Sequence, residues 1–238
     1  MPPRPARSTA RSPSPEPAAL RPLIARALAL LAAAVTAAGC GHATKVRPTP
    51  PGQLEASLEF GGPFGQVEGY TLPLPLSTAG ASYGLTDRAD AFAGVHLTPA
   101  VFGVLGIDAG ADVMPLLDQG PWPALNLTGR GYLFTDLRAA SAYLELDATF
   151  SKRLAGHFVT YASAQSMLQL HGGPPLFGLA LGEAFDLDPW SLQLEARWYE
   201  PGYDTANLPT RWWSVGGTGG FGAMLGVRRR FSLGGGGP

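Results

Sequence analysis

Ser191–Arg197 alternates without a break between two tryptophans. Trp190, Leu192, Leu194, Ala196 and Trp198 share one face, and Ser191, Gln193, Glu195 and Arg197 share the other. Side chains flip at every residue of a strand, so the spacing predicts a ribbon with one apolar and one charged face. The two rings are eight steps apart, roughly 26 Å along a strand or about 20 Å of depth at a tilt of about 40°.

The same alternation recurs along the chain. Leu54, Ala56, Leu58 and Phe60 oppose Glu55, Ser57 and Glu59. Further segments run over 79–85, 91–97, 105–113, 125–133, 140–150, 158–170, 177–185 and 221–231. Gln66–Leu72 and Arg211–Val215 are weaker candidates. Turn chemistry separates them, in TDRAD at 86–90, TDLR at 135–138, HGGPP at 171–175, DLDP at 186–189 and GGTGG at 216–220. No 3.6-residue period follows the N-terminal region. The expected fold is all-β: a closed, antiparallel, up-and-down transmembrane β-barrel of 10–12 strands over 54–232, with 8 as the alternative if segments merge.

Alternation alone leaves open which face points inward, since a soluble barrel shows the same period. Composition favours lipid outside. Charged residues are 15% of the chain, against about 25% in soluble domains. The polar faces hold many glycines, and the tryptophans stand at strand ends. Trp190, Trp198, Trp212 and Trp213 are the expected aromatic girdle. The alternative is a soluble, lipid-tethered β-barrel binding a small apolar ligand.

The N-terminal region carries five arginines, then an apolar run over Ala27–Ala38 that ends in Gly39 and Cys40. A dozen apolar residues are too few to span a bilayer and suit a signal-peptide core. The order resembles a bacterial lipoprotein signal ending in a lipobox, Ala37-Ala38-Gly39-Cys40. That resemblance implies removal of 1–39 and acylation of Cys40. Residues 40–53 are then a lipidated start and flexible tether, and 233–238 are a glycine-rich tail. From Cys40 onward there are 12 basic and 17 acidic residues, a net of −5, which argues against nucleic acid.

The final segment, GFGAMLGVRRRF, resembles the terminal strand read by the barrel-insertion machinery and finishes on Phe231. With the alternating segments it makes 54–231 resemble the small outer-membrane barrels of the OmpX, OmpW and OmpA-domain kind. The resemblance implies outer-membrane lipids and the insertion machinery as partners.

On this reading the lumen holds Asp108, Asp112, Glu145, Asp147 and Glu195 against Arg130, Arg197, Arg228 and Arg230. Unpaired charge in a narrow lumen is costly, so a salt-bridge network that stiffens or plugs the barrel is expected, with a narrow pore as the second form. The expected role is structural or surface-interacting. His42, His96, His157 and His171 lack metal-ligand spacing, so no metal or cofactor is expected. No GxSxG elbow is present, and an outer-membrane lipid hydrolase built on His96 is the minor enzymatic alternative. His96 is expected to pair with Asp108 or Asp112.

Overall fold

Alternating segments with little helical periodicity form strands, and the strands close on themselves. A computed structural model describes residues 41–67, 70–73, 75–204, 211–214 and 216–232. The strands are β1 Gln53–Val67, β2 Tyr70–Pro73, β3 Leu76–Thr86, β4 Ala89–His96, β5 Leu105–Leu116, β6 Ala124–Thr135, β7 Ala140–Ala155, β8 Phe158–Gln169, β9 Leu176–Leu187, β10 Trp190–Asp204, β11 Arg211–Trp212 and β12 Thr218–Ser232. A five-residue helix α1, Leu97–Val101, links β4 to β5.

Each long strand pairs antiparallel with its sequence neighbours, and β1 pairs with both β3 and β12. The ring therefore closes with ten strands: β1, β3 to β10, and β12. This corrects the expected count of 10–12 strands with 8 as the alternative. The stretches 66–72 and 211–215 supply only β2, of four residues, and β11, of two. Both pair with the far tip of β1, where Gly65 faces Leu72 and Trp212. They extend one wall and do not widen the ring. Val215, Cys40, residues 1–39 and residues 233–238 lie outside the described residues.

The barrel is inside out relative to a soluble protein. Leu58, Leu146 and Leu181 on the outer wall are 54%, 57% and 66% exposed. Asp90, Asn126, Glu145 and Arg197 on the inner wall are 0–1% exposed. The soluble alternative required the reverse, with leucines inside a dry cavity. This distribution is the one lipid imposes: the strands pair their backbones within the closed sheet, and the outer face is apolar.

Tight connections at 87–88, 156–157 and 188–189, with the longer 117–123, lie at one end, where β1 starts and β12 finishes. The longer 97–104 and 170–175 segments lie at the other end. These are called the turn end and the loop end. Transmembrane barrels carry short periplasmic turns and longer outer loops.

Aromatic rings mark both rims. At the turn end Trp190 is 47% exposed, and the Arg229 guanidinium lies over Trp190 at 5.1 Å and over Phe231 at 4.9 Å. Arg229 thus keeps its charge at the rim, beside rings that tolerate a cation. At the loop end Trp198 Nε1 donates to Thr218 O at 3.2 Å, and Trp213 packs edge-on against Phe221 at 5.5 Å. Trp212 departs from the expected girdle. It is buried, because strand alternation turns it away from Trp213 and onto Gly220, whose missing Cβ leaves room for the indole. Trp122, in the 117–123 connection, is exposed instead.

Candidate functional site

The lumen is filled by the chain's own N-terminal segment. Gly41, the first described residue, packs against Leu76 near the loop end. The chain then descends past His42, Ala43, Thr44 and Lys45, and reaches Thr49 beside Ser82 and Asp90 near the turn end. Pro51 bridges Gly84, and Gly52, at φ +73°, reverses the chain into β1. Gly84 is needed for this approach: a Cβ there would stand 2.0 Å from Pro50 O.

The stretch 44–53 is thus not a free tether. Proline at 48, 50 and 51 keeps it extended and removes amides that would otherwise seek a sheet. Backbone groups of Ala43, Thr44, Lys45 and Thr49 pair with wall side chains. Ala43 N donates to Glu59 at 2.8 Å and Thr44 N to Glu195 at 3.0 Å. Thr44 O accepts from Gln193 at 2.9 Å and from Arg228 at 3.3 Å. Lys45 O accepts from Asn126 at 3.1 Å, and Thr49 N donates to Asp90 at 2.6 Å. These partners lie on β1, β4, β6, β10 and β12, five of the ten strands of the ring. Buried backbone groups must be paired, and here the wall pairs them.

Side chains of the segment meet charge at three levels. Near the loop end His42 Nε2 lies 3.1 Å from Glu145 Oε1, and His42 Nδ1 lies 3.0 Å from the Tyr132 hydroxyl. Tyr132 donates to Glu145 at 2.8 Å, and Gln165 also donates to Glu145. At mid-height Arg197 Nη2 lies 2.6 Å from Glu195 Oε1 and donates to Thr44 Oγ1 at 3.1 Å. Tyr161 donates to Glu195 Oε2 at 3.0 Å. Lower down, Lys45 Nζ lies 2.7 Å from Asp90 Oδ2 and 3.8 Å from Glu55 Oε1. It donates to Ser82 at 2.9 Å and Thr49 at 3.3 Å.

Eight of the nine charges read from the sequence are buried on the inner wall, Arg230 lies at the turn-end rim, and some meet as expected. Arg130 pairs with Asp108 at 3.2 Å and reaches Glu145 at 3.9 Å, and Glu195 pairs with Arg197. His96 Nε2 lies 3.1 Å from Asp108 Oδ2, and its ring packs against Tyr132 and Phe134. Arg228, Arg230 and Asp147 find partners outside the expected set. Arg228 pairs with Glu59 at 3.5 Å and Glu55 at 4.0 Å. Arg230 pairs with Asp186 at 2.9 Å, at the turn-end rim. Asp147 accepts from Ser163 and Thr149. Asp112 stands opposite Asp90 in the β4–β5 register.

The near balance of acids and arginines does not survive in the wall. Glu55, Glu59 and Asp90 join the five expected acids, so eight carboxylates face three arginines, Arg130, Arg197 and Arg228, in the described lumen above the Asp186–Arg230 rim pair. His42 and Lys45 supply part of the missing positive charge. Glu55 and Glu59 were legible as the polar face of β1; Asp90 was hidden in a stretch of turn chemistry.

Outside the barrel wall, Asp118 in the 117–123 connection collects Arg47 at 3.2 Å, Lys152 at 2.5 Å and the Arg153 amide at 2.8 Å. The Lys152 ammonium first, then the Arg153 amide, hold its carboxyl down at about 2. This clamp fastens the lower part of the segment to the turn-end rim. One space beside the segment, of about 40 Å³, is bordered by Lys45, Glu59, Asp108 and Arg130. It has room for a few water molecules and no organic ligand.

A closed antiparallel barrel with an apolar exterior and a charged, filled lumen belongs to the class of transmembrane β-barrels. The chain matches no protein family and no curated sequence. It is similar to solved barrel structures. The translocator domain of the autotransporter NalP from Neisseria meningitidis is 12% identical, with 90% of this chain and 97% of that one covered at a TM-score of 0.39. An outer membrane channel from Pseudomonas putida F1 is 12% identical, with 80% and 99% covered at 0.42. The N-terminal β-barrel domain of OprF from Pseudomonas aeruginosa is 13% identical, with 77% and 100% covered at 0.31.

Proposed function

We propose that the protein is a bacterial outer-membrane β-barrel lipoprotein with a structural or surface-interacting role, whose lumen is closed by its own N-terminal segment. The observation that carries this reading is the burial of His42 to Lys45 and Thr49 in the lumen, with their backbone groups hydrogen-bonded to strands around the ring. A pore needs a continuous wet path, and the segment occupies the lumen from Glu195 and Glu59 down to Asp90. Insertion would use the terminal strand ending at Phe231.

The anchor follows from the signal-like N-terminal region. Acyl chains on Cys40 give stable attachment at about 0.8 kcal/mol per buried methylene. Gly41 near the loop end favours an anchor that leaves the barrel over the loop rim, into the leaflet on that side. Cells fed labelled palmitate are expected to label the full-length protein and not its Cys40→Ser variant. Equal labelling of both would remove the anchor from this reading.

The closed lumen is tested in planar bilayers. The purified full-length protein is expected to insert without stepwise currents. Sustained steps from the unaltered protein would replace a closed barrel by an open pore.

A further inference from the structure

The Lys45 ammonium sits in a cage that the wall largely builds. Asp90 and Glu55 supply carboxylates at 2.7 and 3.8 Å, and Ser82 supplies a hydroxyl at 2.9 Å. Asp112 stands across from Asp90 on the next strand. Asp90 is fully buried, so without a cation it is left as an uncompensated charge, which is strongly unfavourable. Across the wall, eight acidic side chains face three arginines, so an acidic excess remains beyond the wall's own ion pairs.

We infer that the lumen is built as a cation pathway, and that Lys45 is its tethered occupant. This rests on the closed-lumen reading above. An ammonium on a chain is a stand-in for a free monovalent cation of similar charge and demand for oxygen ligands. When the segment withdraws, its positive charge leaves with it and the excess of wall carboxylates remains. Inward acidic side chains select cations, so the opened barrel passes potassium in preference to chloride. Asp90 and Glu55, near the turn end, are the residues that set the preference. The segment therefore acts as plug and counter-charge together.

The test uses the full chain carrying His42→Ala, Lys45→Ala and Arg47→Ala, and a second variant lacking residues 42–49. Heat-modifiable gel mobility shows that each has folded. In planar bilayers with a potassium chloride gradient, stepwise currents are expected from at least one of them, with potassium favoured several-fold over chloride. Adding Asp90→Asn and Glu55→Gln to the conducting variant is expected to lower that preference. Currents that favour chloride or neither ion overturn the inference, as does a lumen that stays silent in both variants. Steps of equal size from the unaltered protein overturn the closed-lumen reading instead, so the two failures are separable.

Discussion

Leu146→Arg is expected to destabilise the inserted barrel by about 2–4 kcal/mol, the cost of a cation on the lipid face near mid-depth. Leu146 lies well inside β7, is 57% exposed on the outer wall, and stands in register between Gly129 and Ser166. Neither neighbour offers a carboxylate, so the guanidinium meets hydrocarbon unpaired. Refolding into lipid vesicles over a urea series, followed by gel mobility, measures the loss. Leu194→Arg on β10 is expected to cost less, although Leu194 is also exposed. Glu183 stands directly across from it on β9, on the same outer face, where it accepts from Thr160 at 2.9 Å. An arginine at 194 gains a carboxylate partner in the membrane. Equal costs at the two positions would mean that Glu183 does not meet the new side chain, and near-normal stability of Leu146→Arg would contradict the outward orientation itself.

Arg197→Ala is expected to cost about 3–5 kcal/mol, the range for removing one partner of a buried ion pair. Arg197 is 1% exposed and Glu195 is 4% exposed. Without the guanidinium, the Glu195 carboxylate retains the Thr44 amide and the Tyr161 hydroxyl but loses its charge partner. The Thr44 hydroxyl also loses its donor. The same urea series checks this value. A second readout separates wall from plug: the protease sensitivity of 41–50 is expected to rise, because Arg197 holds Thr44 directly. The double variant Arg197→Ala with Glu195→Gln is expected to recover part of the loss, since the glutamine leaves no bare charge. Failure of that recovery would show that Arg197 acts through packing rather than through Glu195.

Much of the barrel was legible along the chain. Ten alternating segments coincide with the ten strands of the ring, and eight of the nine charges read as inward are buried. The reason is local: a strand places alternate residues on opposite faces, so the apolar half of each segment reports one face and the polar half the other. The strand number was less clear, because Gln66–Leu72 and Arg211–Val215 carry strand-like composition. Composition does not reveal that both pair only with the tip of β1. Trp212 misled for a related reason: two adjacent tryptophans cannot share a face, and the sequence does not say which one turns inward.

Alternation and low charge by themselves determined a barrel with one oily and one charged face, because both follow from the strand period and from how much charge an exterior needs. Only the tertiary structure decided what fills the middle. A proline-rich polar segment reads the same whether it waves in water or threads a polar lumen, since the difference lies in partners 16 to 184 residues away, such as Glu59 for Ala43 and Arg228 for Thr44. Pairing of charge across a lumen depends on which strands face one another through space, and that geometry exists only once the ring has closed.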